Sequence, residues 1–243
     1  MTRFTKVNFS AGDLKRIHPA HRGYLIASSH ACNQINFSKI YHILENDNLV
    51  DRSPENAFIA IRQLNLLRFC ISSIFEFNTL TSNYLGSIKE IFPTFAEKHK
   101  KSHAAIVRKI SNERWVKILR NKFSFHFSAT ESLEMLENMP DDHGLYFIFG
   151  NSIGEVAYSF AEEIVSSNLA YGAGNGQIKA GSEKLWETMS NASSSIMNFH
   201  AILVSDILYQ YNLNKDFEEI EAKNESYGSP GINFIPVFIR SKQ

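Results

Sequence analysis

The sequence predicts a mainly α protein, a bundle of long antiparallel helices with a minor β-hairpin near residues 145–160. Three observations lead there. Long stretches repeat apolar residues at helical spacing, proline and glycine clusters separate them, and strand-like composition is confined to short runs, of which Leu145–Phe149 is rich in aromatic and branched residues. Apolar residues form 44% and charged residues 21% of the 243, so the chain has the composition of a globular protein able to bury a core. No internal repeat or low-complexity tract divides it, and a single helical domain is expected.

The elements follow in order. Residues 1–21 read as a polar arm that ends at the His18-Pro19 break. From about Arg22 to Glu45, Leu25, Ile26, Ile35, Ile40, Ile43 and Leu44 recur at helical spacing and predict the first helix. Asp51-Arg52-Ser53-Pro54-Glu55 is a helix start, with Ser53 as N-cap, Pro54 at the first helical position and Glu55 in the first turn. Behind it, Phe58, Ile61, Leu64, Leu67, Ile71, Ile74 and Phe75 form a long regular stripe. A less regular helical piece spans about Thr81 to Phe92 and ends at Pro93. A third long helical region begins at Thr94, carries Phe95, Ile106, Val107 and Ile110, pauses near Ser111-Asn112, and resumes with Trp115, Val116 and Leu119. A short helix around Glu131–Asn138 completes a helical core over residues 22–139.

Beyond Pro140-Asp141-Asp142, the run Leu145–Phe149 and the segment Val156–Phe160 flank the turn Asn151-Ser152-Ile153-Gly154 and predict a small hairpin inserted at 144–160. Helical character returns at Ala161–Leu169. Gly172-Ala173-Gly174-Asn175-Gly176 is read as a loop, because each glycine in a helix interior costs about 1 kcal/mol relative to alanine. A last long helix is expected over residues 181–213, with Leu185, Met189, Ile196, Phe199, Leu203 and Leu208 facing inward. Asp216–Glu225 is mostly acidic and reads as a solvated face or fraying end. In the tail, 226–243, Gly228-Ser229-Pro230-Gly231 is a turn and Ile232–Ile239 an edge strand limited by Pro236.

Composition also excludes. A formal net charge of zero gives no whole-chain indication of a nucleic-acid or membrane partner. Cys32 and Cys70 lie far apart in no pair motif, which rules out a disulfide framework or cysteine-rich zinc site and fits buried thiols in a reducing compartment. Neither the charged start nor any later apolar run matches a leader or a spanning helix, so a cytoplasmic protein is expected.

Charge is unevenly spread along the chain. Between Glu97 and His126 stand Lys98, Lys100, Lys101, Arg108, Lys109, Arg114, Lys117, Arg120 and Lys122, opposed only by Glu97 and Glu113. From Phe127 to Ile178 there is no lysine or arginine, while Glu131, Glu134, Glu137, Asp141, Asp142, Glu155, Glu162 and Glu163 are acidic. The third helical region is thus a local positive surface of the kind that meets phosphates. A solvated helix face paired with the acidic stretch is the plainer reading of the same charges.

Into that basic region falls Arg120-Asn121-Lys122-Phe123-Ser124-Phe125-His126-Phe127. At about 100° per residue, Val116, Leu119, Phe123 and Phe127 share one apolar stripe, with Arg120 and His126 on its two flanks, roughly 120° apart. Were two such seams to meet across a two-fold axis, both pairs would converge in one cleft. Histidine titrates near neutrality and moves protons, arginine presents a planar fork that matches phosphate, and Asn121 can orient either group or hold a ribose hydroxyl.

The motif Arg120-Asn121-x4-His126 resembles the signature of the HEPN superfamily, and its aromatic surroundings are similar to the abortive-infection branch. The match covers about a dozen residues of the chain. What the resemblance implies is a helical bundle acting as a metal-independent endoribonuclease, a toxin or phage-defence effector with RNA as substrate. It also implies Arg120 and His126 as catalytic residues with Asn121 in support, a homodimer with a composite site, and an antitoxin protein as a partner. The residues expected to bind RNA are Lys117, Lys122, Arg114, Lys109 and Arg108. No cofactor, metal or membrane partner is expected. The alternative is a non-catalytic helical module that binds RNA, a nucleotide or a protein.

Rival patterns are weaker. Gly150-Asn151-Ser152-Ile153-Gly154 has the spacing of a nucleophile elbow, but only His200 follows it and the alternating strands of that fold are missing. His99 and His103, four apart on a helix, share a face without an evident third metal ligand. The Gly172–Gly176 cluster lacks the Gly-Lys-Ser/Thr of a phosphate loop.

Overall fold

The computed structural model describes residues 2–44, 54–111, 133–134, 136–137, 139, 141–148, 158–174, 177–213 and 217–222. In chain order these form β1 (Thr2–Val7), α1 (Ala11–Arg16), α2 (Pro19–Leu44), α3 (Pro54–Ser87), α4 (Pro93–Ser111), α5 (Ser159–Ala173), α6 (Ile178–Gln210) and β2 (Phe217–Ala222). The described chain is mainly α, as its periodicity predicts. No helix among the described residues is long and apolar enough to cross a membrane. Two compact units result, residues 23–203, and residues 1–22 with 204–243.

The larger unit is built from helices whose buried positions alternate three and four apart. On α3 these are Leu67, Ile71, Ile74, Asn78, Thr81 and Leu85, and on α6 Leu185, Met189, Ala192, Ile196, Phe199 and Leu203. Each large apolar side chain buried in this way contributes about 1.5–3 kcal/mol. The expected inward face of the last helix is the observed one. On α2, by contrast, Ile26 points outward at 60% exposure, while Tyr24, Leu25, Cys32 and Ile35 are buried.

The expected break near Thr81 does not occur, since α3 continues to Ser87. Thr81 is fully buried, and its hydroxyl lies 3.0 Å from the Tyr24 hydroxyl. One turn later Tyr84 stacks on Tyr24 with ring centroids 3.9 Å apart. Polar residues that spoil an apolar pattern are here the ones that bind α3 to α2. Pro93 opens α4 rather than closing the preceding segment, because the first helical turn has no use for the missing N–H. Ser53, the expected N-cap of α3, lies outside the described residues.

Two further expectations are corrected. Ser159 and Phe160, assigned to a hairpin strand, begin α5, and 145–147 adopt no regular strand; 149–157 lie outside the described residues. The Phe160 N–H donates to the Tyr146 carbonyl at 2.9 Å, so this segment serves a first-turn N–H of the helix instead of pairing with a strand. The glycine cluster is likewise not wholly loop, since α5 extends to Ala173 and α6 starts at Ile178. A side chain at Gly181 would collide with the Ala170 carbonyl, so glycine there permits close helix approach that outweighs its propensity penalty.

α5 is tied to α3 by Arg68 and Glu162. The guanidinium donates to Oε1 at 3.2 Å and Oε2 at 2.6 Å, and also to Asn65 Oδ1 at 3.2 Å. Arg68 is 9% exposed. Replacing Glu162 with Gln leaves this guanidinium buried against a neutral amide, and is expected to lower stability by about 2 kcal/mol, less than for a fully buried pair. Urea unfolding checks it, and an unchanged midpoint would show the pair contributes nothing.

In the smaller unit, β1 and β2 pair antiparallel from Thr2↔Ala222 to Val7↔Phe217. The acidic segment read as solvated or fraying is therefore a strand over residues 217–222. Its register sets Arg3 opposite Glu221 and Lys6 opposite Glu218. That arm also holds α1, opened by a capping box in which Ser10 Oγ accepts from Asp13 N at 3.1 Å and Ser10 N donates to Asp13 Oδ2 at 2.8 Å.

His18 then caps α2, its Nδ1 accepting from Ala20 N at 3.3 Å while its own N–H donates to the Tyr211 hydroxyl at 3.2 Å. At the far end of α6, Leu213 N reaches Leu208 O at 2.9 Å and Asn212 N reaches Tyr209 O at 3.0 Å. With Asn212 at φ 56°, this is a Schellman ending. Asn212→Gly should leave the melting temperature equal or slightly raised, whereas Asn212→Val, branched at a left-handed position, should destabilise by about 1–2 kcal/mol.

Candidate functional site

Of the residues singled out by sequence, Arg114, Lys117, Arg120, Asn121, Lys122 and His126 lie outside the described residues. Arg108 and Lys109 are placed in the last turn of α4, both exposed. The helix that carries them has two distinct faces. Ala96, His99, His103, Ile106 and Ile110 are buried, while Lys98, Lys100, Lys101, Arg108 and Lys109 face outward. The described part of the basic run, Lys98 to Lys109, is thus the outer face of a packed amphipathic helix, with Glu97 the one acidic residue of α4. Cations in its last turn also meet the negative end of the helix dipole.

The inner face of α4 is unusual in its chemistry. His99 and His103 are 2% and 4% exposed, and both pack on Phe199 of α6, with ring centroids 6.0 and 5.6 Å away. Phe199 lies edge-on to Phe77 of α3, which in turn meets His200. His200 Nε2 lies 3.0 Å from Ser28 Oγ of α2. Three imidazoles and two phenyl rings therefore occupy the core of this unit. Removal from water pushes His103 and His200 down to about 4, so both are neutral near pH 7.

His99 and His103 share a face as their spacing of four requires, but that face meets aromatic rings and an amide. No group of three or more His, Cys, Asp or Glu suited to a metal occurs among the described residues. His103 Nε2 lies 3.2 Å from Asn78 Oδ1 of α3, and since an amide oxygen only accepts, Nε2 carries the proton. Cys32 and Cys70 are both buried free thiols, and burial raises Cys32 to about 12, which keeps it protonated and unreactive.

Between α3 and α4, Phe75, Asn78, Thr79, Ser82 and Asn83 face Val107 and Ile110 across an open cleft of 280 Å³. Sequence reasoning passed over this region. Its available signal was the interruption of the α3 apolar pattern by Asn78, Thr79, Ser82 and Asn83, polar side chains that a wholly buried helix seam would not carry.

Comparison of the chain with protein-family models, curated proteins and solved structures finds no match. Function must therefore be argued from the residues themselves.

Proposed function

We propose that this protein is a metal-independent endoribonuclease of the HEPN type, acting in a homodimer as a toxin or phage-defence effector. The observation that carries the reading is the sequence Arg120-Asn121-x4-His126, directly downstream of a helix whose outer face is cationic. Lys98, Lys100, Lys101, Arg108 and Lys109 on α4, continued in sequence by Arg114, Lys117 and Lys122, supply positive charge for an RNA backbone.

In the proposed reaction the ribose 2′-oxygen attacks the adjacent phosphorus and the bond to the 5′-oxygen breaks. A 2′,3′-cyclic phosphate and a free 5′-hydroxyl result. His126 takes the 2′-hydroxyl proton or gives one to the departing 5′-oxygen, and Arg120 stabilises the charge that builds on the phosphoryl oxygens. Asn121 orients them. An antitoxin that covers the site would keep such an enzyme silent.

The test is incubation of the purified protein with total RNA in EDTA. Fragments ending in cyclic phosphate are expected, because no step uses a metal. Retarded but intact RNA would instead establish the alternative, a binding module without cleavage, and cleavage abolished by EDTA would remove the mechanism.

A further inference from the structure

We draw no further inference here: the strongest candidate, the exposed aromatic patch of Phe147, Tyr158 and Phe160 where the segment 145–147 meets the first turn of α5, is an apolar face, and nothing in the structure shows what covers it.

Discussion

His126→Ala is expected to reduce RNA cleavage by about a hundredfold to ten-thousandfold, the usual contribution of a positioned proton-transfer group. Arg120→Ala should fall in the same range, because an arginine that stabilises phosphoryl charge acts in the transition state more than in the bound complex. The loss should therefore appear in kcat, with little change in RNA affinity. Lys109→Ala and Arg108→Ala should behave in the opposite way. Each removes an exposed cation from the outer face of α4, weakening binding across RNA sequences and reducing its salt dependence by about one counter-ion. The double variant His126→Ala, Arg120→Ala should lose little more than either single one, since groups that act as a unit are not additive. Wild-type cleavage in both single variants, with helicity and oligomeric state intact, would falsify the assignment of the site.

Acid should unfold this protein well before its carboxylates are exhausted. His21, His103 and His200 are each depressed to about 4 from an ordinary value of 6.5, in every case chiefly by burial, with a smaller contribution to His21 from the charge of His18. The unfolded chain therefore binds protons that the folded chain refuses. Stability is unaffected above about pH 6.5 and declines as pH falls from there toward 4, where the folded groups begin to titrate. Each histidine should remove about 1–2 kcal/mol at pH 5, and the three together about 3–6 kcal/mol, against a typical total of 5–15 kcal/mol.

Thermal melting followed by circular dichroism from pH 7.5 to 4.5 checks this. His200→Gln, which keeps a polar partner for Ser28 but cannot take up the proton, should make the decline shallower by about one proton, or about 1.4 kcal/mol per pH unit at most. A melting temperature that is flat across that interval would rule out burial of the imidazoles in the folded state.

Much of this fold was legible from periodicity. The six apolar residues predicted to face inward on the last helix, from Leu185 to Leu208, are all buried. The starts of α2 and α3 fall within a few residues of their expected positions, because proline at a first helical position and regular apolar spacing are local signals. What failed were readings that depend on a distant partner. The pairing of Phe217–Ala222 as a strand shows only once Thr2–Val7 is set beside it from the other end of the chain. Thr81 reads as the start of a separate helical piece until the Tyr24 hydroxyl meets it, and Gly172 and Ala173 read as loop although α5 runs to Ala173.

The candidate site divides along the same line. Sequence by itself determined the helical class, the long amphipathic segments, the basic character of the region around α4 and the Arg120–His126 spacing, because all of these are properties of neighbours along the chain. Tertiary structure alone decided that α4 turns its lysines outward and its histidines inward. It alone also decided that His103 takes the oxygen of Asn78, a residue that lines the cleft between α3 and α4. The reason is physical: the fate of a polar side chain depends on which group from another element reaches it and on how much water is left beside it, and neither is written in local order.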